Sequence, residues 1–141
     1  MAYKILVVDD EEEMRNAVAQ TLEFILKKNN VQIDEGENVA YLKEMMLNGE
    51  YNLTLTDNNM PDGNAMDALE ELDRHSAIGG EKERRGGSKL PLIVMSERGG
   101  QDALDLAERV ARLKNFDATY VRKPFGVREL TEALKHYGLV Q

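Results

Sequence analysis

Five short runs rich in β-branched and apolar residues alternate along this chain with stretches of helical periodicity, and that alternation fixes the class of fold. The first run, Tyr3-Lys4-Ile5-Leu6-Val7-Val8, is apolar on both faces, as a strand buried inside a parallel sheet must be. Met14, Ala17, Val18, Thr21, Leu22 and Ile25 then fall at helical spacing, and Lys27-Lys28-Asn29-Asn30 closes that helix with cations and turn formers. Residues 31–34 read as the second strand and 39–47 as the second helix, with Asn48-Gly49 at its end. In the third strand, Leu53–Asp57, Leu53 and Leu55 alternate against Thr54 and Thr56, and a helix follows from Asn64 or Ala65 to about His75. A fourth strand at Leu90–Ser96 precedes a helix over 101–114, and a fifth over 118–122 precedes a last helix over 127–137. Strand and helix repeated five times require a parallel sheet with right-handed crossovers and helices on both faces.

Reactive side chains collect where these strands stop, the edge of an open α/β sheet at which ligands bind. The first strand runs into Asp9 and Asp10, followed by Glu11, Glu12 and Glu13, of which the last two suit a helix N-terminus. The third ends at Asp57, after which Pro61 interrupts the strand and Asp62-Gly63-Asn64 supplies turn chemistry. The fourth ends in the hydroxyl of Ser96, and the fifth runs into Lys123. Taken singly, each has a bland reading: Asp57 as a turn former, Ser96 as a helix cap, Lys123 as a surface charge. As a set they do not. Converging carboxylates repel one another unless a hard cation such as Mg²⁺ sits among them. A carboxylate nucleophile, a cation-binding acid pair, a hydroxyl and an ammonium group together suit phosphoryl transfer to an aspartate.

Composition narrows the alternatives. A chain of 141 residues predicts a single domain over 1–141, large enough for a core without disulfides. There is no cysteine, which excludes thiol redox chemistry and thiolate metal sites. A net charge of −8 argues against direct nucleic-acid binding. No apolar run reaches transmembrane length and the N-terminus lacks signal-peptide features, so no membrane insertion and a cytoplasmic location are expected. Between the third helix and fourth strand, residues 76–89 carry Gly79-Gly80, Gly86-Gly87 and dense charge without apolar periodicity, which predicts a mobile surface loop.

Four segments carry a resemblance that covers nearly the whole chain: Val7-Val8-Asp9-Asp10, Asp57-Asn58-Asn59-Met60-Pro61, Val94-Met95-Ser96 and Tyr120-Val121-Arg122-Lys123-Pro124-Phe125. With them the chain resembles the receiver domains of two-component response regulators. Because it ends just past the fifth helix, it is most similar in plan to the single-domain chemotaxis-type members. The resemblance implies a flavodoxin-like (βα)5 three-layer sandwich with strand order 2-1-3-4-5. It implies that Asp57 is the phosphoacceptor, receiving its phosphoryl group from a histidine kinase or histidine phosphotransferase. Asp10, Asp57 and the backbone carbonyl of Asn59 would then coordinate Mg²⁺ (Mn²⁺ being an alternative), while Asp9 acts through metal-bound water. Lys123 would pair with one phosphoryl oxygen and Ser96 hydrogen-bond another. Tyr120 occupies the place of a switch aromatic whose rotamer follows Ser96. Output would pass to a downstream protein target through the fourth helix, fifth strand and fifth helix. The chemistry implied is self-phosphorylation and autodephosphorylation only, not enzymatic turnover.

Departures from the family pattern bear on function. Ala65 stands where glycine is usual, and Glu97 and Arg98 follow Ser96 where a small residue is common. All three bear on how water reaches a phosphoryl group, so its lifetime is not carried over. The 76–89 loop and a lengthened 97–116 segment read as insertions, the second at the usual output face, so partner choice is not carried over either. A Mg²⁺-dependent aspartyl-phosphate phosphatase of the haloacid-dehalogenase type would want a second acid two residues after Asp57, where Asn59 stands. A phosphate-independent interaction module would keep the fold but leave the acids and lysine without use. A dinucleotide-binding module would need a glycine-rich turn after the first strand, where this chain has acids.

Overall fold

A computed structural model of the chain describes residues 2–75, 89–97 and 99–140. Its main sheet contains β1 (Ala2–Val8), β2 (Asn30–Gly36), β3 (Leu53–Asp57), β4 (Leu90–Ser96) and β5 (Phe116–Arg122). Between and after them lie α1 (Glu12–Ile25), α2 (Val39–Asn48), α3 (Ala65–His75), α4 (Gly100–Ala111) and α5 (Val127–His136). All strand pairs in the sheet are parallel, and the order is β2-β1-β3-β4-β5. This is the flavodoxin-like three-layer arrangement expected from the alternation and the resemblance. The register runs Ile5↔Leu53 and Val8↔Thr56 between β1 and β3, Leu55↔Ile93 and Asp57↔Met95 between β3 and β4, and Val94↔Tyr120 and Ser96↔Arg122 between β4 and β5.

Strand alternation divides the core into two layers. Ile5 and Val7, Leu53 and Leu55, and Ile93 and Met95 pack with Val18, Leu22 and Leu26 of the α1 side and Leu130 and Leu134 of α5. Leu6 and Val8, together with Leu92 and Val94, face the other way, onto Leu42 and Met46 of α2, Met66 and Leu69 of α3, and Leu106 and Val110 of α4. The two buried threonines of β3 also face that second layer by parity, and Thr54 Oγ1 donates to Met46 Sδ at 3.4 Å. A sheet buried on both faces accounts for the continuous apolar run in β1.

The boundaries differ from the sequence reading in places, each with a local cause. Strand β2 spans Asn30–Gly36 rather than 31–34, because its pairing with β1 extends from Ala2↔Asn30 to Val8↔Gly36. Helix α4 stops at Ala111 and β5 begins at Phe116, where periodicity predicted a helix to 114 and a strand from 118. Beyond Ala111 the backbone tightens, with Arg112 N–H shared between the carbonyls of Glu108 and Arg109, both at 3.2 Å. The Asp73 carboxylate then accepts from Lys114 N at 2.9 Å and Asn115 N at 2.7 Å, drawing the chain off the helix axis toward the sheet. A short antiparallel ribbon, Asn59–Met60 with Gly63–Asn64, was not foreseen. It closes around Pro61-Asp62, with Gly63 at φ 138°, a backbone conformation that side chains disfavour. The proposed loop falls almost wholly on residues 76–88, which, like Arg98, lie outside the described residues.

Candidate functional site

Parity along the strands decides which side chains meet at the carboxyl edge. Asp9 continues the Ile5-Val7 series and Asp57 the Leu53-Leu55 series, both on the α1/α5 side of the sheet. Val121 lies on that same side, and Lys123 follows it two residues on. The three converge: Lys123 Nζ stands 2.7 Å from Asp9 Oδ2 and 3.2 Å from Asp57 Oδ1. All three are buried, Asp9 completely so. Asp9 is further held by its neighbours, its Oδ1 accepting from Glu11 N at 3.0 Å and its own N–H donating to Gly36 O at 3.0 Å. Lys123 N donates to Ser96 O at 2.9 Å, which ties the β5 end to the β4 end, and the Lys123–Pro124 peptide is cis.

Asp9, Asp10 and Asp57 each offer a carboxylate oxygen, and these oxygens lie within 4.8 Å of one another. Asp10 is the exposed member. A cavity of about 240 Å³ opens beside them, lined by Asp10, Glu11, Asp57, Asn59 and Glu97. An all-oxygen, acidic donor set at an open mouth fits a hard divalent cation and offers nothing to a soft one. Burial pushes the Asp57 carboxyl up to about 6; the Lys123 ammonium opposes this, and the charges of Asp9 and Asp10 add to it. Burial alone would pull Lys123 down, but its bond to Asp9 and the charges of Asp57 and Asp9 more than compensate, so it stays cationic.

The sequence reading singled out Asp9, Asp10, Asp57, Asn59, Ser96, Tyr120 and Lys123, and the fold brings all but Tyr120 to the edge that holds the acids. Ser96 is fully buried and belongs by parity to the other layer, with Leu92 and Val94. It borders a second cavity, of about 170 Å³, beside Asn58, Asn59 and the α4 residues Leu106 and Arg109. Tyr120 pairs in register with Val94, two residues short of Ser96, and packs half-buried against that same layer. Ser96 and Tyr120 therefore share the α4 side of the sheet, with Asp57 around the strand end from them. Ala65 is fully buried at the start of α3, its N–H donating to Asn58 O at 2.8 Å.

Two polar residues near the strand end have structural parts that the sequence reading did not assign, Asn58 entering it only as part of the Asp57–Pro61 segment. Asn58 is buried; its N–H donates to Met95 O at 2.9 Å and its Oδ1 accepts from Met66 N at 3.1 Å, so it pins the segment after Asp57 to both β4 and α3. Asp62 caps α2 from a distance, its two oxygens accepting from Val39 N at 2.8 Å and Ala40 N at 3.0 Å. A cap supplied from another part of the chain leaves no local spacing pattern, which is why reading along the chain treated Asp62 as turn chemistry alone.

Comparison with known proteins agrees with the fold. The chain is 27% identical over 132 residues to the chemotaxis protein CheY1 of Helicobacter pylori (strain ATCC 700392 / 26695), covering 94% of each. It is also 27% identical over 135 residues to the phosphate regulon transcriptional regulatory protein PhoB of Escherichia coli (strain K12), of which it covers 51%. Among solved structures it superposes on a CheY-like receiver domain protein from Methanospirillum hungatei JF-1 with TM-score 0.68 at 24% identity, covering 99% of this chain and 94% of that one. The receiver domain of the sensor histidine kinase PA1611 from Pseudomonas aeruginosa PAO1, described with a magnesium ion coordinated in its active site cleft, gives TM-score 0.72 at 18% identity, covering 98% and 99%. The family model for the response regulator receiver domain matches residues 5–135, from within β1 to within the last turn of α5, and the chain belongs to that family.

Proposed function

We propose that Asp57 is the phosphoacceptor of this receiver domain and that phosphorylation there switches a protein-binding surface on the α4 side. The observation that carries the reading is the buried Lys123 ammonium set between Asp9 and Asp57, beside an open acidic cavity. In the transfer, an Asp57 oxygen forms a bond to phosphorus as the bond from phosphorus to a partner's phosphohistidine nitrogen breaks. Asp57 must be ionised to attack, and the neighbouring ammonium favours that form. Lys123 is within reach of one carboxylate oxygen already, so it is placed to follow negative charge as it spreads onto phosphoryl oxygens. Asp10 and Asp57, with the Asn59 carbonyl, would hold Mg²⁺ or Mn²⁺. The magnesium-bearing cleft of the PA1611 receiver domain supports that assignment. Bound there, the cation would neutralise charge on the phosphoryl oxygens during transfer. Both oxygens of Asp9 are engaged, by Lys123 and by Glu11 N–H, which suits an outer position reached through water.

The partner on the donor side would be a histidine kinase or histidine phosphotransferase, and the output partner a protein that reads the surface formed by α4, β5 and α5. No helix among the described residues is long and apolar enough to cross a membrane. Addition of beryllofluoride with Mg²⁺ tests the reading, since it mimics a phosphoryl group on a carboxylate. The expected result is binding of one equivalent that depends on Asp57; catalytic release of phosphate from a phosphomonoester would contradict it.

A further inference from the structure

Arg15 lies in the opening turns of α1, yet its side chain is only 14% exposed. Its Nη1 donates to the backbone carbonyl of Asp9 at 2.9 Å, and its Nε donates to Glu35 Oε1 at 3.3 Å. Every polar group of Asp9 is thereby occupied: the N–H by Gly36, the carboxylate by Lys123 and Glu11, and the carbonyl by Arg15. Asp10 is the opposite case. It is exposed, and no hydrogen bond from the described residues reaches its carboxylate. The carbonyl of Asp9 and the nitrogen and Cα of Asp10 belong to one planar peptide unit. Fixing that carbonyl places the Asp10 Cα, and the bond from Glu11 N–H to Asp9 Oδ1 holds the peptide unit that follows. The two together limit the rotation about Asp10 and set the direction in which its side chain departs.

We infer that Arg15 is a positioning residue for the cation site, aiming Asp10 through the Asp9 carbonyl while Glu35 at the end of β2 holds the guanidinium in place. The inference rests on the reading that Asp10 and Asp57 hold a divalent cation. Arginine suits the task because its planar fork serves two acceptors at fixed angles, which the single ammonium of lysine does not. Two other roles make different predictions. As a plain positive charge, Arg15 would repel Mg²⁺, and its removal would tighten binding. As a purely structural tie, its removal would lower the melting temperature and leave cation affinity alone.

The test is Mg²⁺ titration of the intact chain by calorimetry, with thermal unfolding in the absence of cation measured alongside. Arg15→Ala is expected to weaken Mg²⁺ about tenfold, the usual scale for losing a partner that orients a ligand. Arg15→Lys should recover part of that loss, and Glu35→Gln should lose a smaller part of the affinity. Arg15→Ala binding Mg²⁺ as tightly as the parent, or more tightly, overturns the inference. Should Arg15→Ala fail to fold, Arg15→Lys and Glu35→Gln carry the test, and parental affinity in both overturns it equally. A parent chain that binds no Mg²⁺, or an Asp10→Ala variant that binds as the parent does, overturns the cation site itself and this inference with it.

Discussion

Asp57 and Lys123 share one buried ion pair but pull on stability in opposite directions. The Asp57 carboxyl is raised from 3.8 to about 6, chiefly by burial, so the folded state binds its proton more tightly than the unfolded chain does. A group raised in this way contributes stability that is fully present below pH 4 and is lost as pH rises through about 6. At neutral pH its charge is a burden on the fold. Asp57→Asn should therefore stabilise the cation-free protein at pH 7.5 by on the order of 1–2 kcal/mol, solvent at the cavity mouth damping the effect. Chemical denaturation across the pH range checks this: the advantage of Asp57→Asn should shrink to nothing by pH 4, and an advantage that grows on acidification would contradict it. Lys123→Ala does the reverse, leaving Asp9 buried without its cation, and should destabilise by roughly 3 kcal/mol. It should also leave Mg²⁺ affinity at or above the parent's, having removed a positive charge, while impairing activation; Asp10→Ala should lose the cation. Titration of the two variants side by side separates these roles, and equal loss of metal in both would contradict the division.

Between elements, the site depends on a few polar ties that cross from one layer of structure to another. Asn58 bonds to both β4 and α3, and Asn58→Ala should cost roughly 1–2 kcal/mol while loosening the segment that carries the Asn59 carbonyl. Thermal unfolding reads the first effect and Mg²⁺ affinity the second. Helix α4 is joined to α3 by Arg109, whose Nη2 contacts Asp67 at 2.8 Å and also Glu70. That joint lies beside the cavity that Ser96 borders. A phosphoryl group on Asp57 offers the Ser96 hydroxyl a charged acceptor, worth roughly 1.5–3 kcal/mol, enough to shift a two-state element about tenfold or more. Ser96→Ala should accept phosphate yet fail to pass the change to α4 and β5, and Tyr120→Ala should be uncoupled in the same way. Amide shifts on beryllofluoride addition decide it: the parent's full set of changes over residues 102–137 in Ser96→Ala would refute the coupling. These cross-layer ties were the least legible part of the sequence. Period-two and helical patterns reveal which face of an element is apolar, and they located the five strands of the main sheet and the five helices, though not the ribbon of Asn59–Met60 with Gly63–Asn64. They say nothing about Asp73 ending α4 or Asp62 starting α2, because those bonds span 41 to 42 and 22 to 23 residues of chain.

Across the whole molecule, the site was legible because a parallel sheet forces its strand ends together. Once Ile5-Val7 and Leu53-Leu55 are placed on one face, Asp9 and Asp57 follow by parity, and Lys123 reaches them from beyond β5. The same parity places Ser96 on the α4 side, a point that strand-end chemistry alone does not reveal and that the fold makes plain. Arg15 was passed over for a related reason: a cation at helical spacing reads as a solvated face until the carbonyl it holds is seen. The central claim is that this edge exists to put a phosphoryl group on Asp57. Its most direct test is intact-mass analysis of the parent and Asp57→Asn after incubation with a small phosphodonor and Mg²⁺. One base-labile phosphoryl group is expected on the parent, absent when the cation is chelated before donor is added, and none on Asp57→Asn. The same level of phosphorylation in Asp57→Asn, or none in a folded parent that binds Mg²⁺, would contradict it.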